Sequence, residues 1–199
     1  NGQPFTIHNQ ESMHEDEFFR SGEGALFNFY KELDVELSFF HATGKSSLEW
    51  LLPQLPIQQN ILLVHNTFTQ QKEMDIALAN NPNLYWCLCP KANLYIQNET
   101  PDEILFSSMV DNVTIGTDSL ASNDTLSVLE ELKVLQKVMP NLSMDTLLQW
   151  GTLNGARYMG MESEIGTLEK GKRPGLNLIM GAGIEQLQLS KDLSVRPLY

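Results

Sequence analysis

The sequence contains few cysteines and few basic residues, and it has no long apolar run. Its 199 residues include 2 cysteines, 13 lysines and arginines and 25 aspartates and glutamates, which gives a formal net charge of −12. A nucleic-acid backbone is bound by basic surfaces, so this charge argues against nucleic acid as a partner. No run approaches the roughly 18 apolar residues that suggest a membrane span, so we expect no membrane partner.

The two cysteines lie close together in the chain, at Cys87 and Cys89. We expect them to lie in one strand with their side chains on opposite faces, where they cannot easily bridge each other. Free, buried thiols are typical of a reducing compartment. The cysteines therefore favour a cytoplasmic protein without disulfides.

Four short apolar segments have the pattern of strands that are buried on both faces of a sheet. They are residues 5–8, 60–65, 84–90 and 112–118. Three of them end in a side chain that can bind a metal or transfer a proton, namely His8, His65 and Asp118. One histidine at such a position is more often an ordinary surface group, whereas three strands that end in this way indicate an active site.

Segments with helical character separate these strands, which predicts an α/β fold with parallel strands and right-handed crossovers. Barrels and open α/β sheets carry their active sites at the carboxyl ends of the strands, so the three side chains should converge there. We expect helices over 12–20, 25–33, 48–52, 70–79, 102–109, about 123–139 and 144–159. Residues 35–40 are strand-like, and a turn-rich stretch from about residue 166 leads to a further strand at 176–180.

The three strand-end side chains and Glu11 form a set that suits metal-dependent hydrolysis. Imidazole nitrogen and carboxylate oxygen are ordinary ligands of zinc and iron, and a bound divalent metal lowers the pKa of water to about 7. The resulting hydroxide can attack an electron-poor carbon, and Glu11 can pass the proton to a leaving nitrogen. Asp118 would ligate the metal, while His65 would bind it or hydrogen-bond the nucleophile.

Other catalytic arrangements fit the sequence less well. It has no Gly-x-Ser-x-Gly elbow of a serine hydrolase, no Pro-Cys-x-x-Cys of the small zinc deaminases and no dinucleotide-binding fingerprint. The stretch 44–46 reads Gly-Lys-Ser, but Phe39 occupies the position that a phosphate-binding loop requires to be glycine.

Four stretches carry a resemblance to a known family. They are HNQE at 8–11, LLVHN at 62–66, CPKANL at 89–94 and GTDSLASN at 116–123, followed by IGTLEKGK at 165–172. In this order they resemble the amidohydrolase superfamily, and in particular its aminohydrolase and chlorohydrolase branch. That branch includes guanine, adenosylhomocysteine and aminodeoxyfutalosine deaminases.

The resemblance implies the second half of a (β/α)8 TIM barrel. Strands five to eight with their helices would occupy residues 1–165, and residues 166–199 would be a β-rich segment of a small composite β domain. The family's first-strand His-x-His pair has no counterpart, and the chain begins with Asn1, so we expect a piece of a longer polypeptide. The missing N-terminal half is therefore an expected partner, and this fragment alone should bind metal poorly and be inactive.

The resemblance also implies roles for the site residues. His8 and Asp118 match ligands of one divalent metal ion, with zinc favoured over iron, and His65 is a third candidate ligand. Glu11 matches the proton shuttle, and His65 matches the histidine that assists the attacking water.

Substrate contacts are implied at Asn93, Ser119 and Leu88. Members often have a substrate-contacting histidine where Leu88 stands, so substrates that depend on that contact are disfavoured. Ala92 replaces the usual serine, which is a milder change.

These observations predict an enzyme that acts on a small molecule. The first hypothesis is deamination of an aromatic nitrogen heterocycle of the nucleobase or nucleoside kind. The alternatives are hydrolysis of a cyclic amide or of another C–N or C–Cl bond, and a non-catalytic half-barrel that serves as a binding module. Open strand edges in a half-barrel also predict a homo-oligomer.

Overall fold

The computed structural model describes residues 3–181 and 188–198. The larger of two sheets contains four strands, which are β1 (Phe5–Asn9), β2 (Ile61–His65), β3 (Leu84–Leu88) and β4 (Val113–Ile115). The α-helices in the described residues are α1 (Met13–Ser21), α2 (Ala25–Glu32), α3 (Ser47–Leu51), α4 (Gln71–Asn80), α5 (Pro90–Gln97), α6 (Glu103–Ser107), α7 (Val128–Val138), α8 (Met144–Trp150) and α9 (Leu153–Tyr158). A 3₁₀ helix, Leu52–Gln54, follows α3 directly. A smaller sheet contains β5 (Asn177–Met180) and β6 (Ser194–Pro197).

The four strands of the larger sheet pair in chain order and are all parallel, as predicted. The register places His8 opposite Val64 and Asn9 opposite His65. All five residues of β2 are buried, as expected for a parallel sheet with both faces covered. The carboxyl ends of β1 and β2 therefore lie side by side, and this juxtaposition positions the site described below.

Successive residues of a strand point to opposite faces, so the sheet divides its apolar side chains between two clusters. The larger cluster lies between the sheet and the helices and includes Leu63, Trp86, Phe106, Leu132 and Trp150. This cluster is the main core. The alternate residues of β2 and β3 point to the other face of the sheet, where they form part of the smaller cluster.

Cys87 and Cys89 both belong to the smaller cluster, where they pack with Val64 and Tyr158. Residues two apart in a strand share a face, so the expectation that the two cysteines point to opposite faces is wrong. Both thiols are free and buried, as predicted.

Two helices are capped by the serine that precedes them. The Ser46 hydroxyl accepts a hydrogen bond from the Glu49 amide, and the Glu49 side chain accepts one from the Ser46 amide, which completes a capping box before α3. Ser143 caps α8 in a similar way through the Thr146 amide. The single helix expected over 144–159 is two helices, α8 and α9, because the backbone leaves the helical conformation at Thr152, with φ −138° and ψ −80°.

Two other expectations about secondary structure are wrong. Residues 35–40 form a loop with a turn at 38–39 rather than a strand, and the Phe40 ring stacks on Phe18 with the ring centroids 4.2 Å apart. Their β propensity has no effect without a neighbouring strand to pair with. Helix α7 begins only at Val128, because residues 119–127 form a loop after β4.

The strand expected at 176–180 is β5, which pairs antiparallel with β6. Of the residues that precede β6, Leu189 and Leu193 are buried in the main core. The Lys133 ammonium on α7 donates hydrogen bonds to the carbonyls of Lys191 and Leu193, at 3.2 and 2.7 Å. The described end of the chain is thus attached to α7. No helix in the described part of the chain is long and apolar enough to cross a membrane.

Candidate metal centre

Three side chains from three strand ends meet at the carboxyl side of the sheet. His8 on β1, His65 at the end of β2 and Asp118 just beyond β4 each offer one ligand atom, and the three atoms lie within 4.8 Å of one another. His8 Nε2 is 4.0 Å from Asp118 Oδ1. The ring centroids of His8 and His65 are 5.3 Å apart. The structure therefore brings together the three residues that the sequence places at strand ends.

The donor set fits a zinc or iron ion. Bonds from zinc to histidine nitrogen and carboxylate oxygen are about 2.0–2.2 Å long, so two ligands of a tetrahedral ion lie about 3.3–3.6 Å apart. The 4.0 Å between His8 and Asp118 is a few tenths of an ångström longer than this spacing. The His8 side chain is 60% exposed, so a small rotation can bring its nitrogen closer to the other two ligands.

His65 is fully buried, and one of its two ring nitrogens is held by α5. Its Nδ1 lies 2.8 Å from Asn93 Oδ1. An amide oxygen can only accept, so Nδ1 carries the proton and donates it. In the neutral ring, Nε2 then has a free lone pair, and it makes no hydrogen bond within the described residues. A buried nitrogen without a hydrogen-bond partner is rare, and here it is available for a metal or a water.

Glu11 adjoins this free nitrogen. Its Oε1 lies 3.4 Å from His65 Nε2, and its side chain is partly exposed. The carboxylate is therefore next to the candidate ligands and partly open to solvent.

Asp118 is oriented by a residue that the sequence analysis did not single out. The Ser122 hydroxyl donates to Asp118 Oδ2, which leaves Oδ1 as the atom that faces His8. Ser122 belongs to the stretch GTDSLASN at 116–123, and it stands four positions after the aspartate.

The family model described as Amidohydrolase family matches residues 37–193, which is most of the chain. The chain belongs to the amidohydrolase family. The resemblance that its motifs carry is thereby confirmed.

Solved structures agree with this membership. An aminofutalosine deaminase from Helicobacter pylori gives a TM-score of 0.78 at 21% identity and covers 96% of this amidohydrolase chain and 49% of its own. An adenosine deaminase from Xanthomonas campestris with bound zinc gives 0.67 at 22% identity, over 92% and 38% of the two chains. With the parallel sheet, these likenesses confirm the second half of a TIM-barrel fold.

A curated relative shows the same partial coverage. The 5-methylthioadenosine/S-adenosylhomocysteine deaminase of Saccharophagus degradans is 32% identical over 131 residues, which are 62% of this chain and 29% of the relative. The amidohydrolase chain thus spans less than half the length of each of these three proteins.

Several strand-end residues of this amidohydrolase adopt a left-handed backbone. The φ angles are 48° at Gln10, 74° at His65, 49° at Asn66 and 53° at Asp118. A left-handed backbone costs a residue with a side chain roughly 1–2 kcal/mol. Such strain persists only where the surroundings fix it, and it concentrates at functional sites.

A buried polar network fixes the ends of β1 and β2. Gln10 Nε2 donates to the Glu73 carboxylate on α4 at 3.1 Å, and Thr69 Oγ1 donates to Gln10 Oε1 at 2.5 Å. Asn66 Nδ2 donates to Thr69 Oγ1 at 3.1 Å and to Asn9 Oδ1 at 3.3 Å. These bonds hold the turns that carry Glu11 and His65, and sequence reasoning missed them.

The three residues expected to contact substrate have different surroundings. Leu88 is fully buried in the main core between the sheet and the helices, because strand alternation places it on the same face as Trp86. A contact between Leu88 and substrate stays a prediction. Asn93 is buried behind His65 rather than open to the site. The Ser119 hydroxyl accepts a hydrogen bond from the Ala121 amide within the loop after Asp118.

Proposed function

We propose that the protein in which this chain works is a metal-dependent hydrolase that removes an amino group from an aromatic nitrogen heterocycle of the nucleoside kind. One observation carries the proposal: the ligand atoms of His8, His65 and Asp118 lie within 4.8 Å of one another, with the Glu11 carboxylate beside them. The names of the relatives, which are deaminases of adenosine derivatives and of aminofutalosine, support the class of substrate.

In this proposal His8 and Asp118 hold one divalent metal, with His65 as a third ligand or as a hydrogen-bond partner of the attacking water. Zinc is the favoured ion, because the donor set suits it and a similar structure carries it. When bound, the metal supplies Lewis acidity that lowers the pKa of water to about 7.

The side chains of the chain itself account for the proton transfers. Water adds to the ring carbon that carries the amino group, and Glu11 accepts a proton from that water. Glu11 then delivers that proton to the departing nitrogen, the C–N bond breaks and ammonia leaves. The remaining hydroxyl proton moves to the adjacent ring nitrogen, which leaves a ring carbonyl. His65 presents Nε2 to the site, because its Nδ1–H is committed to Asn93.

The proposed division of the chain follows from the family. Residues 1–165 would supply strands five to eight of the barrel, and residues 166–199 would contribute to a small β domain. In the described residues β1 and β4 each have a neighbour on one side only, which supports pairing with the remaining strands or with a second copy.

The test is ammonia release by the intact, zinc-loaded protein from adenosine, methylthioadenosine, adenosylhomocysteine, aminofutalosine and guanine. We expect release from at least one of them. Glu11→Gln should lower kcat about 10²- to 10⁴-fold while zinc content is unchanged. Glu17→Gln, on the exposed side of α1, is the matched control and should leave kcat unaltered.

Two results would count against the proposal. If no aminated heterocycle releases ammonia but a cyclic amide or a chlorinated ring is hydrolysed, the substrate class is wrong. If wild type and Glu11→Gln are equally inert towards every compound, the binding-module alternative replaces catalysis.

A further inference from the structure

Glu131 on α7 is a fully buried carboxylate that contacts two segments leading to the candidate metal centre. Its Oε2 accepts a hydrogen bond from the Lys91 backbone amide at 3.0 Å, and its Oε1 accepts one from Asn123 Nδ2 at 2.6 Å. Burial raises the pKa of Glu131, while these two hydrogen bonds act in the opposite direction. A buried carboxylate is costly unless such bonds compensate it, so its two partners need an explanation.

The first partner leads to His65. Helix α5 begins with Pro90, which has no N–H, so the Lys91 amide is the first donor at the start of the helix. Two residues later, Asn93 accepts the Nδ1–H of His65. Glu131 therefore fixes the helical turn that selects the tautomer of His65.

The second partner leads to Asp118. Asn123 Nδ2 donates to Glu131 and also to the Thr117 carbonyl at 2.8 Å, which closes the loop around Asp118. Within that loop Ser122 donates to Asp118 Oδ2. Glu131 therefore also fixes the loop that orients the carboxylate.

We propose that Glu131 is a positioning residue that sets the placement of His65 relative to Asp118, acting through Asn93 on one side and Ser122 on the other. The proposal rests on the proposed function, because the spacing of the two side chains matters only if they share a metal and its water. The hydrogen-bond partners of Glu131 within the described residues are Lys91 and Asn123 rather than the candidate ligands.

The deciding variant is Glu131→Gln in the intact protein. The glutamine keeps the shape but has one acceptor oxygen and one NH2 group, so it can satisfy only one of the two donors that face Glu131. The matched control is Glu130→Gln, which makes the same change one residue earlier on α7. Glu130 is partly exposed and pairs with Lys133.

Two measurements do not require turnover. The first is Co²⁺ titration of the zinc-free protein, followed by the visible absorption of the bound ion. We expect Glu131→Gln to weaken Co²⁺ binding about 10- to 100-fold and to alter the spectrum, as is typical when groups behind metal ligands are removed. Glu130→Gln should bind Co²⁺ like the wild type.

The second measurement is the ¹⁵N NMR spectrum of the His65 ring in the metal-free protein. The wild type should show Nδ1 protonated and Nε2 unprotonated at a pH where the ring is neutral, and Glu131→Gln should show a mixture of the two tautomers. If Glu131→Gln fails to fold, Asn123→Ala is the alternative variant, because, of the two contacts of Glu131, it removes only the one with the loop that orients Asp118. It should weaken Co²⁺ binding while the tautomer of His65 is kept.

The outcomes separate this proposal from the proposed function. If the wild-type protein binds no Co²⁺, the proposed metal centre is refuted, and the NMR comparison still tests the role of Glu131. Wild-type-like Co²⁺ affinity and an unchanged tautomer in Glu131→Gln would overturn the proposal, as would an equal loss in Glu130→Gln.

Discussion

The imidazole of His65 and the side-chain amide of Asn93 are joined by a 2.8 Å hydrogen bond between Nδ1 and Oδ1. The bond links the end of β2 to the first turns of α5 across 28 residues of sequence. Both residues are almost completely buried, so water cannot replace either partner. The bond therefore decides which nitrogen of His65 is available to the site.

Replacement of Asn93 tests this relationship. Asn93→Leu removes the acceptor, so the neutral His65 ring should populate both tautomers and metal affinity should fall about 10- to 100-fold. Asn93→Asp retains an acceptor at the same place and should keep Nδ1 protonated. Isothermal titration with Zn²⁺ and ¹⁵N NMR of the ring distinguish the two variants, and equal behaviour of both would refute the role assigned to the bond.

His8 is the most exposed of the three candidate ligands, and its loss should remove metal without unfolding the protein. We expect His8→Ala to lower the bound zinc well below one equivalent, measured by atomic absorption after dialysis. The control is His14→Ala, because His14 lies on the exposed side of α1 and pairs only with Glu17 within the described residues. Retention of full zinc content by His8→Ala would exclude His8 as a ligand.

The pH dependence of stability should carry a contribution from Glu15 on α1. Burial raises its pKa above the ordinary value of 4.5, in spite of a hydrogen bond from Ser47, and the neighbouring Asp16 adds to the rise. The folded protein therefore keeps this proton to a higher pH than the unfolded chain. The contribution is fully present below pH 4.5 and is lost as the pH rises through the folded-state pKa.

Glu15→Gln cannot ionise, so the variant should lack this loss. Urea unfolding of both proteins between about pH 4.5 and pH 7 should show the wild type becoming less stable relative to Glu15→Gln as pH rises. Glu23→Gln changes an exposed carboxylate just after the same helix and should show no such trend. A difference between wild type and Glu15→Gln that is independent of pH would contradict the assignment.

The side chains at the strand ends could be predicted from the sequence, because neighbouring residues in the chain specify both the strand and the residue at its end. A continuous apolar run that ends in His65, or in Asp118 after a glycine, specifies a buried strand and the side chain at its tip. The groups that fix His65 and the turns at the ends of β1 and β2 could not be predicted, because their partners lie far away in the chain. Gln10 and Glu73, for example, are 63 residues apart and meet only because β1 and β2 are neighbours.

The errors of the sequence analysis have equally specific causes. Residues 35–40 have strand-like composition, yet propensity cannot create a strand without a pairing partner. The packing of Leu88 was not readable from the motif that it shares with Cys89 and Pro90, because strand alternation directs its side chain into the core. The sequence shows that a residue belongs to a motif, and only the backbone shows which face it occupies.

Gly116, between β4 and Asp118, lies against the two thiols of the smaller apolar cluster. A Cβ at this position would be 2.6 Å from Cys87 Sγ and 3.1 Å from Cys89 Sγ, closer than van der Waals contact allows. Gly116→Ala should therefore destabilise the protein by about 1–3 kcal/mol, the usual cost of overpacking a core. The unfolding free energy from urea denaturation measures the loss.

A second substitution identifies the cause of that loss. Cys87→Ala removes the nearer sulfur, so the double variant Gly116→Ala/Cys87→Ala should be more stable than the sum of the two single changes predicts. Gly155→Ala provides the control, because a Cβ there would meet no atom within 4 Å. Strict additivity of the two changes would show that the cost of Gly116→Ala arises in the backbone next to Asp118 rather than in contact with Cys87.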